Sequence, residues 1–283
     1  MQKKAMRTVS VSKIENVVYQ LFLSAAKTPA PDVVAALEKA SQKETGKAPK
    51  RVLAQLLENL KVSEASSLPS CQDTGMAVVF IDVGQDVQIE GDMDDAINEG
   101  VRRAYQDGYF RKSVLSPLKR KNTGDNTPAV IHKDMVAGDK IKISVMAKGF
   151  GSENMGVLKM MKPAQGIDGI KALVAESVNT AGGSPCPPVV LGIGIGGTLE
   201  KAALLAKRQL LRDLDDTNQD PELAALEKEL CDIANSQGMG AMGFPGDIYC
   251  LSVKIGTFPT HLAGMPVAIN FNCHAARHAS AEI

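Results

Sequence analysis

Met76-Ala77-Val78-Val79-Phe80-Ile81-Asp82-Val83 is apolar at every position but Asp82 and divides the chain in two. A short, bounded apolar run rich in β-branched residues reads as a buried strand. Before it, over residues 1–62, apolar residues recur at helical spacing. Ile14, Val17, Val18, Leu21 and Ala25 form one stripe, Val33, Val34 and Leu37 a second behind Pro31 and Asp32, and Val52, Leu53, Leu56, Leu57 and Leu60 a third. After it, over residues 63–283, strands and helices mix. Asp92 can cap a helix running through Ala96, Ile97, Val101 and Ala104 to Gly108. Residues 140–145 alternate as a half-buried strand does. Residues 167–180 and 199–211, and the stripe Leu223, Leu226, Leu230 and Ile233, predict helices. Residues 189–193, 249–255 and 267–271 predict strands. The fold class expected is α+β: a helical N-terminal layer, then mixed sheets flanked by helices, in one domain spanning 1–283. The acidic stretch 213–220 reads as a solvated loop.

The 283 residues are 44% hydrophobic, enough for a proper core. Lys+Arg and Asp+Glu are 32 each, so no basic excess favours a nucleic acid. No apolar run is long enough to cross a membrane. Lys3, Lys4 and Arg7 precede no continuous apolar segment, so no signal peptide is expected. Five cysteines without a dense framework fit a reducing compartment, and the expected location is cytoplasmic.

Three of those cysteines lie far apart, each in a turn or at a strand end. Cys71 opens Cys71-Gln72-Asp73-Thr74-Gly75, Cys186 sits in Ser184-Pro185-Cys186-Pro187-Pro188, and Cys273 ends the strand-like run from Val267. Three thiolates gathered by a fold can hold an iron–sulfur cluster with one iron open to act as a Lewis acid. Cys231 and Cys250 have apolar neighbours and read as packing residues.

Asp73 can transfer a proton and Gln72 can bond a substrate carboxylate; equally, Asp73 can simply close an Asx-turn on Gly75. Arg111, in Tyr109-Phe110-Arg111-Lys112-Ser113, can fork a carboxylate or serve as a cation near a helix C-terminus. The loops 121–128 and 148–155 are polar and glycine-containing. Gly192, Gly194 and Gly197 satisfy G-x-G-x-x-G after a strand and before a helix. The acidic residue such a motif needs falls in the 213–216 loop with no second strand before it. A helix N-terminus facing a carboxylate or cluster is the preferred reading. His274 and His278 have the spacing of a zinc pair on a helix, against the simpler reading of a soluble tail. His261, between Pro259 and Gly264, stands alone.

Taken in order, residues 71–75, 122–128, 148–154, 185–188 and 192–198 resemble the α subunit of the class I, iron–sulfur fumarate hydratases, a family that includes L-tartrate dehydratase α subunits. The resemblance spans about residues 10 to 280. It implies a [4Fe-4S] cluster on Cys71, Cys186 and Cys273. It implies a substrate lined by Gln72, Asp73, Arg111, Gly149 and His261, with Arg111 on a carboxylate, Asp73 in proton transfer at carbon and His261 near the hydroxyl. It implies reversible hydration of fumarate to (S)-malate, with tartrate or mesaconate as alternative dicarboxylates. It also implies a separate β subunit that completes the site, in an α2β2 assembly. A different class, a nucleotide-binding oxidoreductase built on Gly192 to Gly197, is the competing reading.

Overall fold

The computed structural model describes residues 6–283; Lys3 and Lys4 of the leader reading lie outside them. The chain opens with β1 (Arg7–Ser10), α1 (Val11–Lys27), α2 (Pro31–Lys43) and α3 (Lys47–Ser66). Next come β2 (Met76–Gly84), β3 (Val87–Glu90), α4 (Met93–Asp107), β4 (Val130–Val136), β5 (Ile141–Lys148) and the short α5 (Phe150–Glu153). Then follow β6 (Val157–Met161), α6 (Gly166–Ala181), β7 (Val189–Gly196), α7 (Leu199–Gln209), α8 (Pro221–Asn235), β8 (Cys250–Phe258), β9 (Met265–Asn272) and β10 (His278–Glu282). The fold is α+β. Among the described residues no helix is long and apolar enough to cross a membrane.

Two compact units emerge, each with its own core. The first comprises residues 6–30, Val62–Gly149 and Arg277–Ile283; the second comprises Pro31–Lys61 and Phe150–Ala276. In the first, four strands run in the order β10-β5-β2-β4, with β5 antiparallel to both neighbours and β2 parallel to β4. Alternation sorts the side chains: Ala77, Val79, Ile81 and Val83 of β2 and Ile141, Ile143, Val145 and Ala147 of β5 share a core with Ile14, Val18 and Phe22 of α1 and Ile97, Val101 and Ala104 of α4. Asp92 caps α4, accepting from Asp94 and Asp95 N–H at 2.9 and 3.1 Å, as its sequence position foretold. β5 is half-buried only at its start. From Ile143 through Lys148 both faces are covered.

The second unit's sheet has the order β6-β9-β7-β8. One face carries Leu191, Ile193, Val253, Ile255, Ile269 and Phe271 and packs with Val174 and Val178 of α6 and Leu226 and Leu230 of α8. Beyond Val190 the opposite face of β7 carries glycine: a Cβ on Gly192 would lie 2.1 Å from Ala206 O, and one on Gly194 2.0 Å from Ala202 O. Helix α7 thus sits directly on the strand backbone, which only glycine permits.

Two expectations need correction. Residues 213–220 are not merely solvated: Asp32 Oδ2 accepts from Leu214 N at 2.8 Å, and buried Lys254 donates to Asp216 O and Oδ1, both at 2.7 Å. The C-terminus is neither helix nor tail. Residues 278–282 form β10, paired antiparallel to β5.

Candidate functional site

Strand direction assembles the site in the first unit. β2 and β10 both run antiparallel to β5, so their beginnings lie at its end. Residues 71–75 enter β2, Gly149 follows β5 and Arg277 precedes β10. Three segments remote in sequence therefore meet at one end of the sheet.

The turn ahead of β2 is held from several sides. Asp73 Oδ1 accepts from Gly75 N–H at 2.9 Å, the Asx-turn anticipated from sequence. The buried Tyr105 hydroxyl donates to Thr74 O at 2.8 Å and Gly75 O at 2.9 Å, and Asn126 Nδ2 donates to Gly75 O at 3.2 Å. Burial pushes the Tyr105 phenol well above its ordinary value, so it stays a donor across neutral pH. Gly75 has φ +76°, and a Cβ there would strike Ala147 C at 2.6 Å. The other Asp73 oxygen faces away from the turn: a Cβ on Gly149 would lie 3.3 Å from Asp73 Oδ2 and 3.5 Å from Arg277 Nη2. The Asx-turn bond is made by Oδ1, and Oδ2 lies beside Gly149.

Cys71 is half-buried, its Sγ 3.5 Å from Gln72 Oε1, and Gln72 is exposed. Arg111 is exposed, its carbonyl accepting from Thr74 Oγ1 at 2.9 Å, which ties its backbone to the same turn. Lys148 is buried, with Nζ 3.4 Å from Gly149 O. The 122–128 loop is organised around Asp125. Burial raises its carboxyl, but Thr127 N–H, Arg102 and the Thr127 hydroxyl outweigh that and hold it at about 2.

The second unit carries the other predicted residues. Cys186 and Cys273 are half-buried, in no disulfide, and lie outside helices and strands. Cys186 adopts φ +56°, a left-handed conformation uncommon for a non-glycine residue and a mark of enforced positioning. His274 bonds its carbonyl, Nδ1 to Cys186 O at 3.0 Å, which brings the Cys186 turn beside the one that follows Cys273. His274 is not on a helix and His278 begins β10, so the helical spacing of a zinc pair does not arise. His261 is exposed in the turn between β8 and β9, with Nδ1 accepting from Ala263 N at 3.2 Å. Cys250 is buried in the core, and Cys231 packs against it, as expected. Among the described residues, no three or more of His, Cys, Asp or Glu are gathered as a ready metal site.

A cavity of about 540 Å³ lies elsewhere in the second unit, lined by Asp32, Lys39, Lys43, Asp216, Cys231 and Cys250 among others. None of the sequence-predicted site residues lines it. Asp216 in its lining pairs with Arg212 and Lys254. Gly192 and Gly194 lie within β7 and admit α7, and do not form the turn after the strand on which a pyrophosphate loop is built. Sequence reasoning assigned no role to Arg277, Tyr105 or Asn126. The only available signal for Arg277 was its position four residues beyond Cys273.

A family model described as fumarate hydratase (Fumerase) matches residues 15–282. A protein of Methanocaldococcus jannaschii, named "Putative L(+)-tartrate dehydratase subunit alpha", is 44% identical over 96% of this chain and 98% of its own length. The L(+)-tartrate dehydratase subunit alpha of Escherichia coli (strain UTI89 / UPEC) is 27% identical over all of this chain and 95% of its own. A Geobacillus stearothermophilus protein named "Putative fumarate hydratase class I" is 30% identical over 96% of this chain but only 55% of its own length.

Proposed function

Because the chain belongs to the fumarate hydratase (Fumerase) family of hydro-lyases, we propose that it is the cluster-bearing α subunit of an enzyme interconverting fumarate and (S)-malate. Cys71, Cys186 and Cys273 would hold a [4Fe-4S] cluster. The residue types suit such a cluster: all three cysteines are half-buried, lie outside helices and strands and form no disulfide, and Cys186 is held in a strained backbone conformation. When bound, the cluster supplies a Lewis-acidic iron for the substrate hydroxyl.

The observation that carries the reading is the Asp73 carboxylate. It sits two residues from Cys71, with Oδ1 fixed by Gly75 N–H and Oδ2 directed to Gly149. In this reading Asp73 takes the proton from the carbon beside a substrate carboxylate. The guanidinium of Arg111 and the amide of Gln72, both exposed, bind carboxylate oxygens and offset the negative charge that grows as the proton leaves. Gly149 lets the substrate approach the backbone, and His261 handles the proton of the departing hydroxyl.

A second reading has a specific observation behind it. The 44%-identical relative and the Escherichia coli protein are both named for L(+)-tartrate dehydratase, so L(+)-tartrate is the alternative substrate and mesaconate hydration a further one. The words "subunit alpha" in those names support a separate β subunit, and an α2β2 assembly belongs to the same proposal.

The test is anaerobic reconstitution with iron and sulfide, followed by turnover of fumarate, (S)-malate and L(+)-tartrate with and without a candidate β subunit. Roughly four irons and four sulfides per chain, and partner-dependent turnover of fumarate, are expected. Turnover of tartrate far above fumarate moves the assignment to the second reading. A chain that takes up no iron overturns the cluster.

A further inference from the structure

Arg277 immediately precedes β10, and its carbonyl accepts from Ala147 N at 3.0 Å, which pins it beside the end of β5. Its side chain turns inward. The residue is only 5% exposed, and its buried Nε and Nη1 have no hydrogen-bond partner. Arginine stays charged at any ordinary pH, so an incompletely bonded, buried guanidinium is costly. Such a cost persists where the charge has a task.

The geometry names the task. Arg277 Nη2 and Asp73 Oδ2 lie 3.5 and 3.3 Å from one point, the position a Gly149 Cβ would occupy. Asp73 Oδ1 is already committed to Gly75 N–H. Being sealed from solvent, Arg277 is suited to act on Asp73 and not to meet a substrate itself.

We propose that Arg277 is a positioning residue whose charge fixes the direction of Asp73 Oδ2, with the absence of a side chain at Gly149 leaving both groups room beside it. The proposal rests on Asp73 being the proton-transfer group, so its test includes a readout independent of turnover.

The first readout is a double-mutant cycle in urea on the full chain, using Asp73→Asn, Arg277→Gln and both. The expected result is coupling: the double variant loses less in urea midpoint than the single losses together. Strict additivity overturns the proposal whatever the substrate. The second is steady-state kinetics of the reconstituted enzyme on fumarate and L(+)-tartrate. Arg277→Gln should lower kcat about 100-fold with KM changed less than about 3-fold, and should add nothing to Asp73→Asn. A raised KM with kcat kept would assign Arg277 to direct substrate binding and overturn positioning. Arg277→Lys, which keeps the charge and guards against misfolding, should recover part of kcat; a folded Lys variant as slow as Gln is equally adverse. Normal turnover in Asp73→Asn would defeat the proton-transfer reading, while the urea cycle still decides whether Arg277 holds Asp73.

Discussion

The Tyr105 hydroxyl donates to the Gly75 carbonyl at 2.9 Å, joining the last turns of α4 to the segment that carries Asp73. The same hydroxyl reaches Thr74 O at 2.8 Å, and the ring is buried against Phe22 and Phe110. Tyr105→Phe keeps the ring and deletes the donor, leaving the Thr74 carbonyl without it. The expected cost is about 1–2 kcal/mol in urea unfolding, with looser placement of Asp73 and a fall in kcat. An unchanged urea midpoint would mean that water replaces the hydroxyl.

Gly75→Ala tests the same turn from the backbone. The position has φ +76°, and a methyl there meets Ala147 C at 2.6 Å. Left-handed strain and the clash together should cost about 2 kcal/mol or more. By contrast Gly149→Ala adds a methyl at 3.3 Å from Asp73 Oδ2, a tight but tolerable approach, so it should fold and lose activity. Thermal melting beside kinetics separates the two outcomes.

The pH dependence of stability should carry the signature of Asp125. Its carboxyl is held at about 2, below its ordinary 3.8. A depressed carboxyl stabilises the fold above its unfolded pKa, and the contribution is lost as pH falls through the folded one. The urea-midpoint gap between wild type and Asp125→Asn should be constant above about pH 5 and close between about pH 4 and 2. A gap that widens on acidification would reverse the sign and remove Asp125 as its source.

Gly194→Ala should disrupt the second unit, because the new Cβ would lie 2.0 Å from Ala202 O of α7. A destabilisation of about 3 kcal/mol or more is expected. Equilibrium dialysis with NAD should find no binding to the wild-type chain. Binding lost in this variant without loss of stability would restore the nucleotide reading.

The cysteines should separate into two classes by iron content after reconstitution. Cys71→Ser, Cys186→Ser and Cys273→Ser should each lose the cluster, whereas Cys231→Ser should load iron as wild type does. Cys250 lies in the core with its thiol pushed well up by burial, so it should resist iodoacetamide until the chain unfolds. Full iron in Cys186→Ser would remove that residue from the ligand set.

Sequence periodicity located the long elements, because helical stripes and apolar runs are local consequences of burying one face. Residues 76–83, the Asp92 cap and the helices α6 to α8 were legible for that reason. Cys71 and Asp73 stand out locally in the same way, since thiol and carboxylate lie together in one short turn. Strands β1, β3, β4, β6 and β10 were not legible, since short, partly exposed strands carry little apolar signal. The same glycines that read as a phosphate loop proved to be the floor under α7, a distinction that depends on what the opposite residue is. Arg277 looked like tail, because nothing local says that residues 278–282 return to pair with β5. Chemistry-bearing residue types and their local turns are written along the chain. Which of them face one another was decided by strand order and direction, which only long-range pairing fixes.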